Sequence, residues 1–444
     1  MNEKMAEALN EVSDRHIEEA AKAGKKQLFR WAGAVAAILA VVLLFNAITP
    51  PIAAKAVSLA DYSDPNSSNN YDVTTEAVRA LYGFFESSMK RVLAGDEGEN
   101  QAFSPINLYM ALSAVAELSG GDEQVMAALN APDLTVLRRR TAALWNSSSW
   151  DKGNQSLLAN SVWLDKDLTY DQTVMDTLAR DHYTSVYQGD LGSRQTNRDI
   201  RNWLNNQTGR LLKDSAEGIG LNPDTVFALY SIIYYQAKWQ EEFHSSANKD
   251  GVFHAPGGDV DCTYMNKKKL QGFYYWGADF GAISLGLKDG CRMWLILPDE
   301  GKTVADVLAA GDYAQMALGS IPWEDNKGMY INLSLPKFDI RDSGDLQEDL
   351  QALGITNVFQ PGQADFSGAM PGFKDPIWLD SVNQATRVAI DEKGVTAASY
   401  IEIPGAGAAE PPTEIIDFVL DRPFIFVITT SYRVPLFAGV VNEP

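Results

Sequence analysis

Catalysis and metal binding need particular side chains at particular spacings, and this chain offers few such sets. Four histidines, His16, His182, His244 and His254, and two cysteines, Cys262 and Cys291, are the obvious candidate ligands. No H-E-x-x-H and no C-x-x-C occurs, so the sequence shows no metal site. Two cysteines do not make a disulfide framework, and spacing alone does not tell whether Cys262 and Cys291 pair. No G-x-S-x-G elbow, phosphate-binding loop or G-x-G-x-x-G appears. The chain therefore reads as a non-enzyme, and no cofactor is implied. Acidic pairs are plentiful, but with 58 Asp and Glu against 37 Lys and Arg, and a net charge of −21, they read as solvated faces. The same excess argues against a nucleic-acid partner, which needs a basic face to displace counterions.

One stretch stands apart, "DEKGVTAASYIEIPGAGAAEPP", Asp391 to Pro412. Its first half reads as a strand and its second half is nearly all Gly, Ala and Pro. Taken alone it is a surface loop joining two strands.

The elements that must hold such a loop are legible. In "FSPINLYMALSAVAELSGG", Ser104 can cap a helix, Pro105 fits its first turn, and Gly120-Gly121 ends it. "RDIRNWLNNQTGRLL" places Ile200, Trp203 and Leu204 on one helical face. Leu346, Leu350 and Leu353 recur at helical spacing, with Asp345 as cap and Gly354 as stop. "VFALYSIIYYQAKW", "RMWLILP", "DRPFIFVITT" and "VPLFAGVV" read as strands. "MYINLSLPKFDI" alternates, with Met329, Ile331, Leu333 and Leu335 on one side. Helices first and strands after predict an α+β domain of mainly antiparallel sheets.

From about Val73 to the end, the chain resembles the serpin family of protease inhibitors. The resemblance rests on four blocks in the family's order: "AFSPINLYMALSAVAELSGG", "TVFALYSIIYYQAKW", "LPKFDIRDSGDLQEDLQALGITNVF" and "FVLDRPFIFVI". It implies helices packed on mainly antiparallel β-sheets with an exposed reactive-centre loop, and a monomer whose partner is a target serine protease. The protease cuts the loop and is held as an acyl-enzyme. The freed arm then inserts into the central sheet and drags the protease away. On this resemblance Asp391 to Pro412 is hinge and bait. Glu392, Gly394, Val395, Thr396, Ala397 and Ala398 form the hinge, and Ala408–Ala409 is the scissile bond. Counting back from the last block places that bond nearer Pro412–Thr413. The hinge count is adopted because inserted length sets the trap. The resemblance also implies a polar latch under the sheet from Ser104, Ser231 and Gln384, with Trp239 at the sheet's top. Gln384 and Ser231 depart from the family's usual His and Asn. Val395 stands where inhibitors more often have Thr or Ser, and Thr396 where Glu is common.

The residues suit insertion. In a strand, Val395, Ala397, Ser399, Ile401 and Ile403 share one face, mostly small or apolar. Thr396, Ala398, Tyr400 and Glu402 share the other. Gly394 to Ala408 is fifteen residues, which would span roughly 50 Å at about 3.3 Å each. Val395 is expected to be the first side chain to enter the sheet and only partly buried before cleavage. An Ala at the scissile position suits an elastase-like or subtilisin-like protease, since trypsin-like enzymes need a cation there. The alternatives are a non-inhibitory serpin-fold binding module on the cell surface and, from another class, a surface hydrolase. The latter lacks a nucleophile set.

The N-terminus adds an address. Trp31 to Ile48, "WAGAVAAILAVVLLFNAI", is uncharged over 18 residues, enough to span roughly 27 Å as a helix. Lys25, Lys26 and Arg30 precede it and should stay cytoplasmic. The expected organisation is a cytoplasmic segment over 1–30, a transmembrane signal anchor over 31–49, a linker over 50–72 and the serpin domain over 73–444, outside the cell membrane of a bacterium. Ala54-Lys55-Ala56 is an A-x-A-like site, so a secreted form cleaved near Ala56 is the rival.

Overall fold

The computed structural model describes residues 56–60, 78–95, 98–148, 150–151, 155–207, 220–221, 225–379, 381–395 and 412–444. The expected cytoplasmic segment and the 31–49 anchor lie outside them, as does most of the expected linker. Among the described residues the first elements are β1 (Val57–Ala60), α1 (Tyr82–Val92) and β2 (Gln101–Phe103). Next comes α2 (Pro105–Leu118), which starts as expected: Ser104 accepts a hydrogen bond from the Asn107 amide and Pro105 takes the first turn. There follow α3 (Glu123–Ala128), α4 (Leu134–Ser148), β3 (Trp150–Asp151), β4 (Gln155–Asp165), α5 (Gln172–Asp181), β5 (Thr184–Gly189) and α6 (Arg194–Gln207).

Strands then dominate. β6 (Phe227–Lys238), β7 (Lys249–Ala255), β8 (Gly258–Trp276), β9 (Phe280–Gly286) and β10 (Arg292–Pro298) run in succession. The short helices α7 (Val304–Ala310) and α8 (Asp312–Leu318) intervene, α7 opened by a capping box between Thr303 and Asp306. After them come β11 (Asn326–Pro336), β12 (Phe338–Asp345), α9 (Gln347–Ala352), β13 (Asn383–Ile390), β14 (Gly394–Val395), β15 (Ile415–Val419), β16 (Phe424–Thr429) and β17 (Pro435–Val441).

Two sheets carry the fold. The first runs β1-β5-β4-β6-β14-β13-β12, with β3 on β4; the second runs β15-β11-β8-β9-β10-β16-β17-β2, with β7 on β8. Pairing is antiparallel except for β4 with β5 and β11 with β15, so the α+β expectation of mainly antiparallel sheets is met. Helix α2 is buried along its whole length, and every residue of β16 and β17 is buried. An apolar helix buried on all sides must lie inside the domain. The alternation read from β11 also holds, with Met329, Ile331, Leu333 and Leu335 all buried.

One charge enters this core. Glu117, on α2, is bound bidentately by Arg138 at 2.8 and 2.6 Å and by His182 Nε2 at 3.1 Å. Burial alone would raise its pKa. The hydrogen bonds from His182 and Arg138 outweigh it and bring the carboxyl to about 2. His182 is thus a core residue tying α5 to α2. Cys262 and Cys291 are both free thiols.

The start of the fold departs from the sequence reading. Val57–Ala60 falls inside the expected 50–72 linker, yet it pairs antiparallel with β5 as the edge strand of the first sheet. The Ala56 amide donates to Asp199 Oδ2 at 3.1 Å and fixes its entry. Partners distant in the chain supply the pairing, and four residues carry no pattern that would announce a strand.

Candidate functional site

The chain turns sharply after β13. Asp391 Oδ1 accepts from the amides of Lys393 at 2.8 Å and Gly394 at 3.1 Å, and the Asp391 amide donates to the Gly394 carbonyl at 3.0 Å. This aspartate-led turn sends the chain back as β14. Strand β14 lies between β13 and β6, with Ile390 opposite Val395, Lys238 opposite Gly394 and Ala237 opposite Val395. Val395 is only 3% exposed. The expectation that it is partly buried and still waiting to enter is corrected: it is already seated in the sheet. An apolar β-branched residue suits such a slot. Gly394 is required beside it, because a Cβ there would lie 2.2 Å from the Ala237 carbonyl oxygen and 2.5 Å from the Lys238 Cα.

The turn is clamped from outside. Trp239, which follows β6, donates from its indole to the Asp391 carbonyl at 2.8 Å and from its amide to the Lys393 carbonyl at 3.0 Å. The Phe243 amide donates to the Glu392 carbonyl at 2.8 Å. The Glu392 carboxylate meets Lys337 Nζ at 2.7 Å and Asn248 Nδ2 at 2.6 Å. Lys337 first, and Asn248 after it, lower the Glu392 pKa to about 2, so this carboxylate is charged throughout the neutral range. The sequence reading groups Trp239 with the latch; the structure places it on the hinge. That reading also missed Lys337 and Asn248. Lys337 stands in the quoted "LPKF" block, but nothing in the sequence points it at Glu392.

The latch residues do come together under the sheet. Gln384, on β13, accepts from the Ser104 amide at 2.7 Å and donates to the Ser104 carbonyl at 3.2 Å. Ser231, on β6, donates to the Asn107 carbonyl at 3.2 Å, and the Asn107 amide donates to Ser104 Oγ at 3.3 Å. The start of α2 thus bridges the two strands that flank β14. Asn107 is the member sequence reasoning missed. Its position three residues after Ser104, on the same helical turn, was the available signal. Across from Ser231, Asn160 is buried with neither side-chain atom hydrogen-bonded among the described residues.

The arrangement leaves a seam. Among the described residues β6 and β13 share no pairing, and only β14 stands between them. Thr396, Ala397, Ala398, Ala408 and Ala409 lie outside the described residues. The chain resumes at Pro412 and joins the second sheet as β15, paired with β11. The segment 396–411 therefore connects a strand of one sheet to the edge strand of the other.

A family model described as Serpin (serine protease inhibitor) matches residues 83–444. Putative serpin-Z5 of Oryza sativa subsp. japonica is 27% identical over 398 residues, which cover 80% of this chain and 87% of that one. Plasminogen activator inhibitor 1 of Sus scrofa is 25% identical over 392 residues, covering 83% and 92%. The solved structure described as a thermophilic serpin, tengpin, in the native state is similar in fold, with a TM-score of 0.75 at 22% identity over 88% of this chain and 100% of that one.

Proposed function

Since this chain belongs to the serpin family of serine protease inhibitors, we propose that it is a suicide-substrate inhibitor whose bait is the segment 396–411. The observation that carries this is the seating of Gly394 and Val395 between β6 and β13. The loop's N-terminal arm is already threaded into the place where the rest must follow. What comes next, "TAAS", is small and uncharged and can be buried without a clash or an unpaired charge. Cleavage frees the arm, the arm extends β14, and the attached protease is carried off before it deacylates.

The scissile bond in this reading is Ala408–Ala409, which suits elastase-like or subtilisin-like enzymes. Incubation with such a protease should give a complex that survives boiling in detergent, and mass spectrometry should place the cut after Ala408. Ala408→Arg should lower the inhibition rate for elastase-like enzymes at least tenfold and create inhibition of trypsin-like ones. A cut near Pro412 with unchanged inhibition would move the bond. Cleavage without any trapped complex would favour a binding-module role.

The proposal extends to a bacterial chain held by its 31–49 segment in the cell membrane with the inhibitor outside. The uncharged run from Trp31 to Ile48 and its basic flank support this. Full-length protein should sediment with membranes, and a chain starting at Ala56, which keeps β1, should stay in solution. A mature N-terminus at Val57 in cells would replace the anchored form with a secreted one.

A further inference from the structure

Strand β1 enters the fold at the pole opposite the hinge. Val57 pairs with Gln188, Gln188 with Leu164 and Leu164 with Phe227, so these residues share one row across the first sheet. Phe227 opens β6, whose last residue, Lys238, faces Gly394 at the hinge. The eleven steps between them span roughly 36 Å at about 3.3 Å each. β1 runs antiparallel to β5, from Val57 opposite Gln188 to Ala60 opposite Val186, so the chain before Ala56 leaves from this far pole. The entry is held by β5 through pairing, by α6 through the Ala56 amide on Asp199 Oδ2 at 3.1 Å, and by α5 through Gln172 Nε2 on the Leu59 carbonyl at 3.4 Å.

The same register fixes where an inserted arm would end. Gly394 faces Lys238 and Val395 faces Ala237, so each further residue of an extended β14 steps one residue back along β6. Gly405 would then face Phe227, and Ala408 would stand just past that row. Pro404, which cannot donate to a ladder, falls next to the end of β6, where the ladder stops. Ala408, carrying the acylated protease, would emerge at the pole where β1 enters. Four strand intervals separate β14 from β1, roughly 19 Å at about 4.8 Å each.

We propose, resting on the inhibitory and anchored readings above, that trapping delivers the protease to the lipid surface. The enzyme is met at the pole that faces away from the membrane and is deposited against the head groups at the other. Chain length carries the second half of this. The uncharged run ends at Ile48 and the fold begins at Ala56. The eight steps between them reach at most about 29 Å at about 3.6 Å each. A compact protease of about 220 residues has a radius of gyration of about 17 Å and is therefore roughly 44 Å across. An enzyme of that width cannot hang beneath this pole clear of the bilayer.

The test uses the full chain in lipid nanodiscs, with an acceptor dye on the head groups and a donor dye on an elastase-like protease. A protease whose nucleophilic serine is replaced by alanine marks the encounter, since it binds the bait and cannot acylate. The active enzyme marks the trapped state. Energy transfer should rise at least threefold from the first to the second. Inserting about thirty Gly and Ser residues between Pro51 and Ile52 adds a coil of roughly 30 Å. That insertion should remove most of the rise and leave the yield of trapped complex unchanged. Two controls keep the outcome distinct from the readings beneath it: survival of the complex in boiling detergent reports trapping, and co-elution with the discs reports the anchor. With both controls met, equal transfer from the two enzymes, or stronger transfer from the inactive one, would overturn the proposal. Failure of either control would overturn the reading it reports, and delivery to the membrane with it.

Discussion

Protein cut within 396–411 should melt on the order of 10 °C above the intact protein. The seam between β6 and β13 is filled at one end by Gly394 and Val395 and shares no pairing beyond them among the described residues. Beyond β14 the two strands approach each other directly, so the arm must part them to enter. A freed arm that extends β14 by about ten residues makes a comparable number of hydrogen bonds, each worth net about 1 kcal/mol. At about 1 °C per kcal/mol, from an unfolding entropy of about 2.1 cal/mol/K per residue over a domain this long, the sum reaches the expected shift. Burial of Ile401 and Ile403 adds to it, and the ordering of the arm subtracts. Calorimetry of intact and cut protein in the same buffer gives the comparison. Coincident melting curves would mean that the arm stays out, and would place this protein with the non-inhibitory members of its family.

Val395→Arg should convert the inhibitor into a substrate. At 3% exposure, among the apolar core and between two strands, this position has no room for a solvated cation. Burying the unpaired charge costs several kcal/mol, so the hinge withdraws instead. The loop remains open to proteolysis, but the arm now has to enter past a charge. The protease deacylates first and is released. The number of inhibitor molecules consumed per trapped protease should rise at least tenfold. Because Val395 is buried before any cut, the native protein should also lose the burial of one valine, about 1.5–3 kcal/mol, seen as a melting point a few degrees lower. Val395→Ser, which removes the apolar group without adding charge, should keep near-parental stoichiometry. If Val395→Arg inhibits as well as the parent, insertion does not start from the seated hinge.

What could be read from the sequence was what repeats along it. Helix α2 showed its cap, its proline and its all-round apolar character in consecutive residues, and β11 showed strict alternation. Long strands such as β6 were apolar enough to be unmistakable. The hinge clamp was invisible because Glu392, Lys337 and Asn248 come from three separated stretches, and a pair of opposite charges in so charged a chain carries no information alone. The seating of Val395 has a local signal in the sequence. Asp391 and Gly394 stand at the first and last positions of a four-residue turn, the places those residue types favour, so a hairpin back into the sheet could have been drawn. Gln384 was recognised as a latch member only through the family comparison. Its two bonds to the Ser104 backbone show how an amide serves, since it both accepts and donates at one site.

The pairing of β15 has a consequence for how long the intact molecule stays competent. The segment 396–411 is strung between two fixed ends, Val395 in one sheet and Ile415 in the other. On the proposed mechanism, the arm goes deeper only when one of these ends is released. Proteolysis is one way to release it; the other is for β15 to let go. That strand is the outermost of its sheet, joined to β11 by five residue pairs on one side only, with Ile415 and Val419 exposed. Were it to peel away, the uncut loop would gain the slack to fold into the seam, and the molecule would settle into its deeper minimum without meeting a protease. Its working life is then a rate, set by the fraying of one short edge strand rather than by the melting of the core.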